Sequence, residues 1–510
     1  MQHKIATRDV GVIARSSPDN MVPPVLLDVL GDLNWQQISY CYWKSSRRLP
    51  AVFAGEGDVD LLIARADQHR AQAILLKADF KLFPSVGDRE HPAVLNYLGY
   101  DDQSGQLIHL HVHCRLVTGE LMLKNYRLPW EEALLARSIM HPVFPIRILD
   151  PTSEALLLIV RAGLELRRSD AITYRGWRAK TKDFSLDRQE LRSRVERSAL
   201  RDLAAKLVCD GLATPISDAL YEETPLESLS LLRRRLRQHM AIYRSYNRIE
   251  MRARSVGRTG FWLAGSLNRD MLHAPRPWNR RAPGGGCIVA ILGVDGSGKS
   301  TSVATMRTWL AKKIDVFPVY FGTGDGPPSL VLWPLKLMLP LMLRVMKSKP
   351  KGTTRGHHAG GGPSLIHSTL LSVWALAVAL DKRAKLAAAW RAANRGLIVL
   401  TDRYPQDQIG RFNDGPMLTN LKSVPKWLRH FESRVYACAR RLQPDLVIKL
   451  TVTPETTARR EPAMDRAIIP ERAAALQRLE FPSARVVSVD AEMPLADVIR
   501  TVKREIWRQL

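Results

Sequence analysis

The feature of this chain most directly suited to chemistry is a glycine-rich segment at residues 293–301. It reads Gly-Val-Asp-Gly-Ser-Gly-Lys-Ser-Thr, which matches the full pattern Gly-x-x-x-x-Gly-Lys-Ser/Thr of a phosphate-binding loop. An apolar run at 288–292 precedes the segment and a helix-compatible stretch follows it, so the motif lies in the strand–loop–helix context that it requires. The segment therefore predicts a binding site for a nucleoside triphosphate.

Each residue type in this predicted loop has a defined role. Glycines let successive backbone N–H groups turn towards phosphate oxygens at the start of a helix, where the dipole favours an anion. Lys299 is expected to contact the β- and γ-phosphates of ATP, and the Ser300 hydroxyl is expected to hold Mg²⁺. The residues predicted to bind the nucleotide are Gly293, Asp295, Gly296, Ser297, Gly298, Lys299, Ser300 and Thr301.

A second chemical signal is the apolar run at 397–401, which ends in Asp402 and Arg403. At the carboxyl end of a strand, Asp402 can hold Mg²⁺ from the side opposite Ser300. Arg403 can pair with a phosphate of the acceptor. The alternative is that the two residues form a salt bridge that caps the strand.

A third signal lies at residues 444–454, which read Pro-Asp-Leu-Val-Ile-Lys-Leu-Thr-Val-Thr-Pro and lead into a helix with adjacent arginines. The three motifs stand in the same order as in thymidylate kinase and its relatives, and the resemblance covers roughly the last 225 residues. It implies a P-loop kinase with a mobile lid that carries arginines. In that family Asp295 would approach the acceptor sugar. The resemblance implies a transition-state arginine from the lid, with Arg459, Arg460 and Arg466 as candidates.

The chain departs from the thymidylate kinase pattern where that family binds its acceptor. Residues 321–328 replace the usual Arg-Glu-Pro-Gly segment, and residues 405–408 also lack the usual pattern. The resemblance therefore supports the donor chemistry but not specificity for dTMP. The apolar stretch at 330–345 leaves a lipid-linked acceptor open, and the loop predicted at 347–363 carries two histidines that we expect to be solvated.

The leading hypothesis for function is ATP- and Mg²⁺-dependent phosphoryl transfer to a phosphorylated small molecule that resembles a nucleoside monophosphate. Lys299 and a lid arginine would stabilise charge, Ser300 and Asp402 would hold the metal, and Arg403 would orient the acceptor. Two alternatives remain open. One is an ATP-switched regulatory module that binds anions, and the other is a bifunctional kinase and nucleotidyltransferase.

A possible second site lies near the N-terminus, where residues 57–63 carry Asp58 and Asp60 on one face of a predicted strand. Carboxylates so spaced can share Mg²⁺ and hold a triphosphate. The segment resembles the Asp-x-Asp strand of the nucleotidyltransferase superfamily, with residues 44–46 near where that family has Gly-Ser. Active nucleotidyl transfer, a binding role and coincidence remain open.

Three further side chains of this possible site occupy alternate positions of a second predicted strand, at 107–117. They stand where the superfamily would be expected to carry a third carboxylate, and they either replace it, bind an anion or belong to a plain surface strand. These residues are His109, His111 and His113.

The elements that must position these residues form an α/β pattern. Five strands are predicted in the C-terminal part, at 288–292, 316–321, 397–401, 446–450 and 486–489. They are mostly continuous apolar runs separated by helical stretches, which is typical of a parallel sheet covered on both faces. We predict a doubly wound P-loop kinase domain at 286–510. A small mixed α/β, nucleotidyltransferase-like domain is predicted at 1–150, and a helical, arginine-rich connector at 151–285.

The overall charge favours anionic partners, because 76 Lys and Arg against 50 Asp and Glu give the chain a net charge of +26. Residues 233–281 hold 13 arginines but only Glu250 and Asp270, so an anionic membrane surface or nucleic acid is a possible partner. A solvated basic helix is equally compatible.

Five scattered cysteines, no signal peptide and no predicted membrane span favour the cytoplasm, with peripheral membrane attachment left open.

Overall fold

The computed structural model divides the chain into two compact units, Met1–Ala264 and Gly265–Leu510. The described residues are 22–91, 93–120, 123–165, 174–222, 229–272, 274–322, 365–409, 415–419, 424–462, 464 and 466–510.

The first unit contains a mixed sheet of seven strands in the order β3-β4-β5-β2-β1-β9-β8, and a separate pair β6-β7. Strands β2 and β5 run parallel, and their register pairs Asp60 with His111. The strands are β1 (Tyr40–Tyr42), β2 (Val59–Ile63), β3 (Lys81–Leu82), β4 (Val94–Asp101), β5 (Gln106–His113), β6 (Leu116–Thr118), β7 (Tyr126–Leu128), β8 (Ile139–Met140) and β9 (Arg147–Ile148).

The helices that accompany this sheet continue along the chain beyond residue 150, as the sequence predicts, and the last of them runs past Ala264. They are α1 (Pro24–Trp35), α2 (Gln68–Lys77), α3 (Glu131–Ala136), α4 (Pro151–Glu165), α5 (Tyr174–Arg192), α6 (Arg197–Leu207), α7 (Asp210–Tyr221), α8 (Ser230–His239) and α9 (Arg248–Leu267).

Alternate residues of β1 face two different apolar cores, because successive strand side chains point to opposite faces. Tyr40 and Tyr42 pack in the core that includes Leu30 of α1. Cys41 belongs to the other core, together with Val160 of α4. Helices C-terminal to residue 150 thus share a core with the sheet, and the domain boundaries expected at 150 and 285 stay predictions.

The stretch 107–117, which the sequence predicts as one strand, is divided in the structure. Strand β5 ends at His113, and a bend at residues 114–115 leads into β6, which pairs with β7 instead of the seven-stranded sheet. The three histidines therefore lie on a strand inside the main sheet.

The second unit contains a parallel five-stranded sheet in the order β11-β12-β10-β13-β14, and all five strands predicted from the sequence are present. The α/β class is confirmed. The strands are β10 (Cys287–Gly293), β11 (Val316–Tyr320), β12 (Ile398–Asp402), β13 (Leu446–Thr451) and β14 (Arg485–Asp490).

Helices alternate with these strands along the chain, as required for parallel neighbours. They are α10 (Lys299–Ala311), α11 (Leu365–Ala393), α12 (Lys426–Tyr436), α13 (Pro454–Arg460), α14 (Ile469–Arg478) and α15 (Leu495–Gln509).

Within the described residues, none of the helices has the length and apolar character needed to cross a bilayer. The apolar stretch at 330–345 and the loop expected at 347–363 lie outside the described residues.

Candidate functional site

The glycine-rich loop connects the central strand β10 to helix α10. Gly296 and Gly298 have φ of +75° and +83°, in the left-handed region that favours glycine. Gly293 is required for a different reason, because a Cβ there would lie 2.2 Å from the Ser297 hydroxyl oxygen. Lys299 is the first residue of α10, so the loop brings its backbone to a helix N-terminus. The loop thus has the backbone form of a phosphate cradle.

The Asp295 carboxylate is the centre of a cluster of cations. Lys299 Nζ donates to Asp295 Oδ1 at 3.1 Å and to the Val294 carbonyl at 3.1 Å. Arg403 Nη2 lies 3.5 Å from Asp295 Oδ1, and Arg472 Nη1 donates to Asp295 Oδ2 at 2.5 Å. Burial alone would raise the pKa of Asp295, but Lys299 and the two arginines hold it below its ordinary value. Asp295 is therefore ionised at neutral pH.

Ser300 and Asp402, the two residues expected to hold a metal, are brought together by neighbouring parallel strands. The β10–β12 register pairs Ile291 with Asp402, and the Ser300 hydroxyl donates to Asp402 Oδ2 at 2.9 Å. The other carboxylate oxygen, Oδ1, is buried and accepts no hydrogen bond from the described residues. A buried carboxylate oxygen without a donor is a suitable ligand for a hydrated cation.

Arg403 follows this strand with a backbone φ of +74°. That conformation is uncommon for a residue with a Cβ, and its N–H donates to the Ile291 carbonyl at 3.3 Å. The turn directs the chain away from β12 while its guanidinium lies at Asp295. The alternative of a plain Asp402–Arg403 pair does not describe this arrangement, because the ion pair of Arg403 is with Asp295.

The three candidate lid arginines occupy different surroundings. Arg460 donates to the Gly296 carbonyl at 3.1 Å and therefore contacts the glycine-rich loop directly. Arg459 donates to the Thr456 hydroxyl of its own helix at 3.4 Å. Arg466 is exposed and begins a short helical turn, Arg466–Ile468.

Sequence reasoning missed Arg472, although its position contains a signal. Arg472 lies three residues after Ile469 and four before Leu476, and both of those apolar residues are buried on α14. Residues so spaced share one face of a helix. An arginine on the buried face of an amphipathic helix indicates a partner inside the fold, and that partner is Asp295.

In the first unit, the possible second site is assembled by the parallel pairing of β2 and β5. His109 Nδ1 lies 2.7 Å from Asp58 Oδ1. His111 Nδ1 lies 3.4 Å from Asp60 Oδ1 and 3.7 Å from Asp58 Oδ2. His113 Nε2 lies 3.4 Å from Asp60 Oδ1. All five predicted side chains of this site therefore lie together.

The alternative of a plain surface strand is wrong for these histidines. His109 and His113 are buried, and the His113 ring packs edge-on against Trp43 with centroids 4.9 Å apart. Burial lowers the pKa of His113 to about 3, so its ring is neutral at pH 7. Burial alone would raise the pKa of Asp60, but Lys44 and the two neighbouring imidazoles hold it well below its usual range.

A cavity of about 460 Å³ adjoins this cluster, and both carboxylates line it. Its wall also carries the cations Lys44, Lys124 and Arg161. Burial lowers the pKa of Lys44 to about 8. The wall of the cavity therefore carries both carboxylates and cations.

The two serines that precede β2 in the sequence, Ser45 and Ser46, form hydrogen bonds with other protein groups. Ser45 donates to Asp187 Oδ1 at 2.8 Å, and the Ser46 N–H donates to Glu154 Oε1 at 2.8 Å. Residues 45–46 therefore link the connection between β1 and β2 to helices α4 and α5.

No family model matches the chain. Over 227 residues it is 26% identical to the uncharacterized ATP-binding protein YghS of Escherichia coli K12, a match that covers 44% of this chain and 93% of that protein. Over 241 residues it is 24% identical to the uncharacterized ATP-binding protein YghR of the same strain, covering 46% of this chain and 90% of that protein. Nearly the whole of each relative thus corresponds to less than half of this chain.

Proposed function

We propose that the second unit is a thymidylate kinase-like P-loop kinase domain. It transfers the γ-phosphoryl group of ATP to a phosphorylated acceptor that resembles a nucleoside monophosphate. The predicted doubly wound architecture is part of this proposal. The observation that carries it is the convergence of Lys299, Arg403 and Arg472 on one carboxylate beside the glycine-rich loop.

This convergence leaves an excess of positive charge, since three cations surround the single carboxylate of Asp295. Such an excess favours an anionic ligand at the same place. Lys299 exchanges its contacts with the Val294 carbonyl and Asp295 for donor phosphate oxygens, while the loop N–H groups bind the remaining oxygens. The relatives YghS and YghR are both named as ATP-binding proteins, which supports the same donor.

Ser300 and Asp402 are the residues that would hold Mg²⁺. The hydrogen bond between them and the unpartnered Oδ1 of Asp402 fit that group, since Mg²⁺ prefers oxygen ligands and keeps several waters. When bound, Mg²⁺ neutralises charge on the phosphates.

The arginines divide into two roles. Arg403 and Arg472 bind the acceptor phosphate and orient its attacking oxygen towards the donor. Arg460, which contacts the loop at Gly296, stabilises the charge that develops on the transferred group. During transfer, the bond between the γ-phosphorus and the bridging oxygen breaks, an acceptor oxygen forms a new bond to that phosphorus, and ADP leaves.

The experiment is a screen of acceptors with purified full-length protein, in which ADP formation is measured. The panel contains nucleoside monophosphates and lipid-linked phosphates, so that the two sources of an acceptor phosphate are distinguished. We expect one class to raise ATP turnover, and Lys299→Ala to lower that turnover by roughly 10²- to 10³-fold. Lys312→Ala, a change of an exposed lysine just beyond α10, is the matched control.

Two results would contradict the proposal. One is ATP turnover in Lys299→Ala equal to that of the unmodified protein. The other is tight ATP binding with slow hydrolysis that no acceptor accelerates, which would favour the ATP-switched module instead.

A further inference from the structure

The histidine–aspartate cluster of the first unit brings three potential ligand atoms together, from Asp60, His111 and His113, all within 4.8 Å of one another. His111 Nδ1 and His113 Nε2 each lie 3.4 Å from Asp60 Oδ1. Tetrahedral coordination with bonds of about 2.0–2.1 Å separates neighbouring ligand atoms by roughly 3.4 Å. The spacing of these atoms is therefore that of two edges of a coordination tetrahedron.

The surroundings of His113 are a second observation, separate from the spacing, that points to a bound cation. The His113 side chain is fully buried, yet Nδ1 forms no hydrogen bond with the described residues and Nε2 has only the long, 3.4 Å approach to Asp60. A buried polar nitrogen without a partner is unfavourable and requires an explanation. Nε2 is directed at Asp60 Oδ1. A cation between this nitrogen and this oxygen would be coordinated by both.

We propose that Asp60, His111 and His113 form a binding site for a divalent transition-metal cation, with Zn²⁺ as the test ion. Imidazole nitrogens together with a carboxylate suit Zn²⁺ and its neighbours in the first transition row. Mg²⁺ prefers an all-oxygen shell at octahedral geometry. The site therefore differs from a magnesium site shared by Asp58 and Asp60, which the sequence left open.

Asp58 and His109 have a supporting role in this site. The 2.7 Å separation of His109 Nδ1 and Asp58 Oδ1 is that of a charge-assisted hydrogen bond and is too short for two ligands of one cation. His109 thus orients Asp58, whose other oxygen lies 3.7 Å from Nδ1 of the proposed ligand His111. Hydrogen bonds of this kind fix the geometry of metal ligands and tune affinity.

A path for the cation is present, because the side chains of His111 and Asp58 are 18% and 30% exposed. Asp58 and Asp60 both line the cavity of about 460 Å³. The metal can therefore enter from the cavity even though His113 lies behind it.

The test uses full-length protein without an affinity tag, stripped of metal by a chelator that is then removed. Zn²⁺ is titrated in competition with a chromophoric chelator, and Co²⁺ is titrated separately to record the visible spectrum of the bound ion. We expect one tightly bound Zn²⁺ per chain. Asp60→Asn and His111→Asn should each weaken binding by more than about 100-fold, and His109→Ala by roughly 10-fold.

The matched control is His69→Ala, which removes an exposed histidine from α2 in the same unit and should leave the affinity unchanged. Circular dichroism establishes that each variant is folded, and the partly exposed His111 is changed in preference to the buried His113 for that reason. Zn²⁺ affinity unaffected by Asp60→Asn and His111→Asn would overturn the proposal. So would displacement of Zn²⁺ by an equal concentration of Mg²⁺.

Discussion

Arg472 and Asp295 form an ion pair with a separation of 2.5 Å between Nη1 and Oδ2, although they are 177 positions apart in the sequence. The contact joins helix α14 to the glycine-rich loop. It places a guanidinium on the carboxylate that also receives Lys299. Helix α14 therefore contributes a charged side chain to the candidate site.

Arg472→Ala should lower acceptor-stimulated ADP formation. The guanidinium is proposed to bind the acceptor, so we expect a loss of roughly 10- to 1000-fold in kcat/KM, with ATP affinity changed far less. Steady-state kinetics with varied acceptor concentration measure this split. Arg478→Ala, at an exposed position of the same helix, serves as control, and equal losses in both variants would refute the assignment.

Arg460 and Arg459 are adjacent, yet only Arg460 contacts the loop, at the Gly296 carbonyl. If Arg460 stabilises the transferred phosphoryl group, Arg460→Ala should reduce kcat by on the order of 10³-fold. Arg459→Ala should have a much smaller effect. Single-turnover measurements separate the chemical step from product release, and a larger loss in Arg459→Ala would reverse the roles.

Asp402→Asn should change the dependence of turnover on Mg²⁺. The substitution preserves the shape of the side chain but removes the charge of a carboxylate whose Oδ1 is buried and receives no hydrogen bond from the described residues. We expect the Mg²⁺ concentration for half-maximal rate to rise by roughly 10-fold or more, because carboxylates supply much of the affinity for this ion. Asp490→Asn, at an exposed strand end, should leave this concentration unchanged.

Glu154→Gln should make the first unit more stable at high pH. Burial raises the pKa of Glu154 from 4.5 to about 7, so folding favours the protonated carboxyl. The wild-type protein then loses stability as pH rises from 4.5 to about 7, by about 3 kcal/mol in total, and the loss stays constant above that range. The amide cannot ionise and avoids this loss, while its oxygen can still accept the Ser46 N–H.

Urea unfolding of both proteins across this pH range tests the effect through the difference in unfolding free energy. That difference should grow between pH 4.5 and about 7 and then level off. Glu132→Gln, at an exposed position, should give no such trend. A difference that does not vary with pH would contradict the prediction.

The central part of the candidate site could be predicted because its residues lie in short, ordered segments. Gly293, Lys299 and Ser300 belong to one contiguous motif, and Asp402 ends an apolar strand. Parallel strands next to each other in a sheet bring their carboxyl ends together, so the Ser300–Asp402 contact follows from topology.

Other features depend on packing that no local pattern encodes. Strand alternation predicts that His109, His111 and His113 share a face, but it does not reveal that this face is covered. The covering layer is far away in sequence, since residues such as Val160 belong to the core on that side of the sheet. The helical pattern around Arg472 indicates a partner inside the fold, but it does not identify Asp295, because the ion pair joins two segments that are distant in sequence.

The left-handed backbone conformation of Arg403 lowers the folding stability of the chain at the candidate site. A side chain in that conformation costs of order 1–3 kcal/mol, which glycine would avoid. Arg403→Gly would thus relax the turn while deleting the guanidinium beside Asp295. The strained backbone conformation thus occurs at the residue whose guanidinium contacts Asp295.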